Sequence, residues 1–307
     1  MTVKNPVSLV IVGSIGLDTV ATPLERREEV LGGSVSFACA AASFFCKTGM
    51  VGVVGDDFPA AYAALYGHFG IDLSGLQRVP GKTFRWEGEY ANDMNDRRTL
   101  RTELNVFAEF APTLPASYRS SPFLFLANIS PDLQTHVLGE MTAPKFVAAD
   151  TMDLWINTAR PALERVIRSV HMLTLNDSEA RMLSGEHNLV KAAACVRAMG
   201  PTYLVIKKGE HGAMLFGPGG VFIVPAFPLE SVLDPTGAGD TFAGGMMGAL
   251  AALGRTDEAA MRLAMVYGSV VASFGVERFS LDRLAALTRG EIEARTAAFR
   301  KMITLEA

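Results

Sequence analysis

The residues with the most concentrated chemical potential form one stretch, Leu233-Asp234-Pro235-Thr236-Gly237-Ala238-Gly239-Asp240-Thr241-Phe242-Ala243-Gly244-Gly245. Gly237 and Gly239 lack the Cβ atoms that stop a backbone from curling its N–H groups inward. A helix beginning near Asp240 would direct unpaired N–H groups and the positive end of its dipole at the same point. The N–H groups of Gly237, Ala238 and Gly239 would then cradle an anion such as a transferring phosphoryl group. The Asp240 carboxylate, at the mouth, could take a proton from an attacking hydroxyl. Alone, an acid at a helix start is only a cap. The stretch is not a Walker A loop, because no Gly-Lys-Ser/Thr follows the glycines.

A cradle needs a frame, and the chain has room for one. Its 307 residues are 49% hydrophobic and 20% charged, enough for a large α/β unit with a sizeable core. The net charge of −4, without a basic block, argues against nucleic acid as a partner. Cys39, Cys46 and Cys195 are odd in number and lack metal-ligand spacing, which suits free thiols in a reducing compartment. The opening residues lack a signal-peptide pattern, and no apolar run reaches membrane-spanning length. The expectation is a cytoplasmic protein with no membrane partner.

Ser8 to Val12, Met50 to Val54, Phe123 to Ala127, Lys145 to Ala149, His171 to Leu175 and Tyr203 to Lys207 read as buried strands. Helical patterns lie around residues 133–140, 158–167 and 189–199. This alternation predicts a doubly wound, mostly parallel sheet flanked by helices, with sites at the carboxyl ends of strands. Residues 82–110 differ. Thr83 to Tyr90 and Thr99 to Val106 alternate around the polar turn Asn92 to Asp96, which predicts an antiparallel hairpin with Phe84, Trp86 and Tyr90 on one face. We read it as part of a small β lid, built from segments of about 14–31 and 82–110 on a single domain spanning 1–307. An aromatic sheet face needs a partner, which favours a homodimer through the lid.

Asp-Pro-Thr-Gly-Ala-Gly-Asp-Thr-Phe-x-x-Gly, from Asp234 to Gly245, resembles the C-terminal signature of the ribokinase-like (PfkB) family of carbohydrate and nucleoside kinases. The resemblance implies ATP-dependent phosphorylation of a hydroxyl, typically a hydroxymethyl, on a small sugar or a ribonucleoside, with Asp240 as the base. It places Asp18, after the first strand, on the acceptor hydroxyls, and Gly32-Gly33 where the family keeps a di-glycine against the substrate. Where ribokinases carry Asn, this chain has Phe37, a departure at the acceptor. Asn176 and Glu179 match the family's N-x-x-E motif, tied to Mg²⁺ and phosphate, although the same residues also read as a capping box; Mg²⁺ held by Glu179 through water is chemically sensible. Gly209 and Gly212 match a nucleotide-lining turn, with Lys207 or Lys208 within reach of phosphate. Ser273 matches the edge of the adenine pocket, and Asp234 with Thr236 would partner a monovalent cation such as K⁺. Lys47, Arg85 and Arg101 are further cations without a motif behind them.

Two rivals follow. Phe37, Phe84 and Trp86 could stack a base, as an adenosine-like nucleoside kinase would require. A binding protein could have kept the fold and lost the chemistry. A dehydrogenase is disfavoured, because Gly13-Ser14-Ile15-Gly16 lacks the G-x-G-x-x-G spacing and no helix pattern follows it.

Overall fold

The computed structural model describes residues 6–95 and 97–304. Its strands are β1 (Leu9–Val12), β2 (Gly16–Ala21), β3 (Arg26–Gly32), β4 (Thr48–Val54), β5 (Asp72–Arg78), β6 (Phe84–Tyr90), β7 (Arg97–Glu103), β8 (Phe123–Leu126), β9 (Phe146–Asp150), β10 (Met172–Asn176), β11 (Tyr203–Lys207), β12 (Ala213–Gly217) and β13 (Gly220–Val224). The helices are α1 (Ser34–Ser43), α2 (Ala60–His68), α3 (Pro131–Glu140), α4 (Asp153–Thr158), α5 (Arg160–Ser169), α6 (Asp177–Ser184), α7 (Leu189–Ala198), α8 (Ala238–Leu253), α9 (Glu258–Gly275), α10 (Asp282–Ala285) and α11 (Arg289–Ile303).

Nine strands form the large sheet, in the order β13-β12-β11-β10-β9-β8-β1-β4-β5, with every pair parallel except the two that involve β12. The sequence of β1 shows why the sheet is covered twice. Leu9 and Ile11 join one core with residues of α1, α8, α9 and α11, while Val10 and Val12 join a second with residues of α3, α5, α6 and α7. A strand buried on both faces reads as an unbroken apolar run rather than an alternating one. The chain leaves β1 toward β4 on one side and returns to β8 on the other. Order therefore reverses at β1, and a crevice opens outside the carboxyl ends of the strands there. Buried Gln134, on α3, pins those ends by donating to the carbonyls of Leu126, Ala127 and Asp150.

A second sheet of four strands, β3-β2-β6-β7, stands over that crevice. It is antiparallel except for the β2–β6 pair. Both of those strands rise from the carboxyl ends of parallel strands of the large sheet, β1 and β5, which flank β4, and so run the same way. The expected aromatic face is present, but it turns inward. Phe84 packs on Phe107 with ring centroids 5.5 Å apart, Trp86 pairs with Asp18 in the β2–β6 register, and Tyr90 reaches Thr236. The aromatic stripe therefore finds its partner in its own chain, which removes the reason given above for a second copy. The outward face instead carries Arg85, Glu87, Arg101 and Glu103 around a cavity of about 260 Å³. Among the described residues no helix is long and apolar enough to cross a membrane.

Candidate active site

Asp18 and the di-glycine form one side of the crevice. A Cβ on Gly32 would lie 1.9 Å from Asp18 Oδ2, so the carboxylate occupies the space that a side chain would fill. Gly33 has φ +94° as the N-cap of α1, a conformation that suits glycine. The Gly33 N–H supports the Asp18 carboxylate, yet Oδ1 is buried without a protein partner. Burial, then the charges of Asp234 and Asp240, push Asp18 up to about 8, against the opposing pull of Arg97. A buried acceptor with an idle lone pair calls for a donor, and a substrate hydroxyl supplies one.

The cradle lies opposite. Gly237 sits in the left-handed region at φ +72° as the N-cap of α8, and a Cβ there would fall 2.3 Å from the Phe37 ring. Phe37, only 3% exposed, is thus the floor beneath the cradle and belongs to the core. Any contact of this ring with an acceptor would have to be made from the core, beside Gly237. The Ala238 N–H donates to Pro235 O at 3.1 Å, so it closes the turn and leaves the cradle to Gly237 and Gly239. Asp234 anchors the loop. Its Oδ1 accepts from Thr236 N at 2.8 Å and its Oδ2 from Ser280 N at 3.2 Å. Both contacts hold the loop in place. The Thr236 hydroxyl meets Tyr90 Oη at 3.2 Å.

Asp240 lies in the first turn of α8, half-buried and facing the ends of β9 and β11. Burial, then the Asp150 charge, push it up to about 7, opposed by Lys207 and Arg97. Lys207 closes β11 with its Nζ 2.7 Å from Asp150 Oδ2, and a Cβ on Gly239 would come 3.2 Å from that ammonium. Burial works against the Lys207 charge, but Asp150, Glu179 and Asp240 hold its pKa above the ordinary lysine range. A fixed cation therefore stands beside the cradle. Glu179 and Asn176 do form a capping box, with Asn176 N donating to Glu179 Oε2 at 2.7 Å and Glu179 N to Asn176 Oδ1 at 2.8 Å. Burial, countered by Lys207 and reinforced by Asp150, lifts Glu179 to about 7. Among the described residues no three His, Cys, Asp or Glu gather into a metal cage. The donor set still fits a Mg²⁺ ion that arrives with phosphates and keeps its waters, with Glu179 and Asp150 as its acids.

The structure gathers Asp18, Gly32, Gly33, Asn176, Glu179, Lys207, Thr236, Gly237, Gly239 and Asp240 around one crevice. Gly209 and Gly212, at φ +54° and +84°, shape the turn after β11, and Gly209 abuts Asn95 of the small sheet. Other candidates are engaged elsewhere. The Ser273 hydroxyl donates to Val270 O and accepts from Arg295, Lys47 donates to Gly70 O, Arg85 pairs with Glu29 and Asp57, and Arg101 pairs with Glu103. Sequence reasoning missed Asp150, Arg97 and the contact made by Tyr90. Asp150 carried a usable signal, an acid closing an apolar strand beside those ending in Asn176 and Lys207. Arg97 carried none.

An α/β sheet with its crevice at the switch point, a helix-start anion cradle and an acid at its mouth define a small-molecule kinase of the ribokinase fold. The chain belongs to the pfkB family of carbohydrate kinases, whose profile matches residues 9–280, and it is accordingly an ATP-dependent phosphotransferase. It is 29% identical to a cytidine kinase of Thermococcus kodakarensis over 84% of this chain and 93% of that one. It is 27% identical to a ribokinase of Bacillus subtilis over 88% of this chain and 94% of the other. A nucleoside kinase of Burkholderia thailandensis, solved in complex with ADP-inosine, shares the fold at a TM-score of 0.74, with 20% identity and coverage of 97% and 100% of the two chains.

Proposed function

We propose that this protein transfers the γ-phosphoryl group of ATP to the hydroxymethyl group of a nucleoside. The observation that carries the chemistry is the placement of Asp240 between the Gly237–Gly239 cradle, the Lys207 ammonium and the idle oxygen of Asp18. Asp18 orients the acceptor through its hydroxyls. Asp240, ionised above about pH 7, takes the proton of the attacking hydroxyl as its oxygen bonds to the γ-phosphorus and the bond to the β–γ bridging oxygen breaks. The N–H groups of Gly237 and Gly239 and the ammonium of Lys207 stabilise charge on the phosphoryl oxygens, and ADP leaves. A magnesium ion, when bound, neutralises phosphate charge, and Glu179 with Asp150 would hold it through water. The four-stranded sheet acts as the lid that keeps water from the reaction.

Support for a nucleoside comes from the similarity to the cytidine kinase, which spans most of both chains. A free sugar is the second reading, favoured by the similarity to the ribokinase. A homodimer through the lid would have to use its charged outer face. The first experiment is ADP release with Mg-ATP across ribonucleosides, pentoses and hexoses, for the native protein and Asp240→Asn. A nucleoside should stimulate only the native protein, with turnover of the variant lower by about 10²–10⁴. Near-native turnover in Asp240→Asn would overturn the assignment of the base, and stimulation by free sugars alone would replace the acceptor.

A further inference from the structure

We propose that Arg97 is a catalytic residue of this transfer, a cation that the small sheet carries to the phosphoryl group in flight. The inference rests on the kinase reading above and adds a residue on the face of the crevice opposite the cradle.

Position comes first. Arg97 opens β7 directly across from Tyr90 on β6. Directly paired residues of an antiparallel ladder share a face with Cβ atoms about 5 Å apart. Tyr90 in turn touches the hydroxyl of Thr236, the residue before Gly237, at 3.2 Å. The rung that holds Arg97 is therefore the rung docked on the cradle.

Orientation is fixed by Trp86. The Arg97 guanidinium lies over its ring, 5.4 Å from the centroid. The ring is itself held, with Nε1 donating to Thr99 Oγ1 at 3.2 Å and its six-membered edge against Gly88, where a Cβ would come within 2.2 Å. Trp86 thus serves as a shelf for the guanidinium.

Charge gives the third observation. Arg26, Arg85, Arg98 and Arg101 of the same sheet each pair with a glutamate. Among the described residues Arg97 forms no such pair. Its field falls on Asp18 and Asp240, in both cases favouring the carboxylate. A cation whose field reaches both the acceptor-binding acid and the base looks onto the end of the line along which phosphoryl passes from the donor to the acceptor hydroxyl. Lys207 and the cradle cover that line from the body, and Arg97 covers it from the lid. In the step itself the acceptor oxygen bonds to the γ-phosphorus, the bond to the bridging oxygen breaks, the proton passes to Asp240, and Arg97 only donates hydrogen bonds to the equatorial oxygens.

The test compares native protein, Arg97→Ala and Arg97→Lys in steady-state kinetics with the acceptor that the native protein uses, after matching their melting temperatures. Arg97→Ala should lower kcat about 10²-fold or more, as loss of an oriented donor does, while both KM values stay within about threefold. Added guanidinium should restore part of the loss, and Arg97→Lys should fall between, because an ammonium lacks the planar fork. The acid limb of the kcat/KM profile should move upward in Arg97→Ala, since Asp240 loses a neighbour that favours its charge. A raised acceptor KM with unchanged kcat would overturn the proposal in favour of acceptor recognition. Unchanged kinetics would reduce Arg97 to a solvated side chain. Native protein that phosphorylates no sugar or nucleoside would overturn the kinase reading and this inference with it, a result distinct from an active native protein and an equally active variant.

Discussion

On the body side of the crevice charge is buried and shared: the Lys207 side chain is 17% exposed, Asp150 is 4% exposed, and three acids press on one ammonium. On the lid's outer face charge stays in water, as in the Arg98–Glu89 pair, whose side chains are 72% and 41% exposed. Buried charges interact strongly and tolerate little rearrangement, whereas exposed pairs each contribute between zero and about 1 kcal/mol. The body can therefore hold phosphoryl chemistry in a fixed geometry. The lid meets the body through separate polar contacts such as Tyr90–Thr236, Arg85–Asp57 and Tyr62–Glu29. Substitutions that strike the two sides should differ in size and in kind.

The largest effect is expected at Lys207→Met. Removing one partner of a buried pair leaves the other charge uncompensated, at a cost of about 3–5 kcal/mol. Denaturant unfolding should show that loss, and Asp150→Asn in the same background should recover much of it. Lys207 also opposes the upward push on Asp240, so any remaining activity should need a higher pH. A stability loss below about 1 kcal/mol would place this pair with the exposed ones and erase the contrast.

Asp18→Asn sharpens the contrast through pH. The carboxyl is raised from 3.8 to about 8 in the folded protein, so the folded state holds its proton more tightly than the unfolded state. Stability linked to this group is full below the unfolded pKa and is lost as pH rises toward 8. Asparagine cannot ionise and escapes that loss. The stability of Asp18→Asn relative to native should rise between pH 5 and pH 8 by about 1 kcal/mol or more, one pKa unit being about 1.4 kcal/mol, while acceptor affinity falls. A pH-independent difference would mean that Asp18 is solvated like the carboxylates of the lid's outer face.

What could be read in advance follows the same division. The cradle was legible because its glycines and acid are contiguous, and the central strands because burial on two faces leaves apolar runs such as Leu9–Val12 and Phe123–Leu126. Asn176 and Glu179 were legible as a capping box because a cap is local. The burial of Phe37 was not legible because it depends on Gly237, two hundred positions away, leaving room for a ring. β3 reads Arg-Arg-Glu-Glu before turning apolar, which conceals a strand whose outer residues are solvated. The alternation of β6 was read correctly, but alternation identifies a face without saying what covers it. Arg97 was invisible because its register with Tyr90 depends on the irregularity at Glu87/Gly88, which shifts the pairing of β7.

The smallest effect belongs to Tyr90→Phe, and it bears most directly on how the two sides communicate. The substitution keeps the ring and deletes only the hydroxyl that meets Thr236. Burial pushes that phenol up to about 12, so it is neutral at working pH and contributes a plain hydrogen bond. Such a bond contributes about 0.5–1.5 kcal/mol net. If it helps dock the lid on the cradle, its loss should appear as a several-fold rise in acceptor KM or fall in kcat, with unfolding nearly unchanged because body and lid each keep their own pairing. Because Arg97 shares this rung, Tyr90→Phe should also blunt the effect of Arg97→Ala, and the double variant should lose less than the product of the two single losses. Strict multiplicativity would show that Arg97 reaches the cradle without help from Tyr90, and that the lid is held down by something other than this contact.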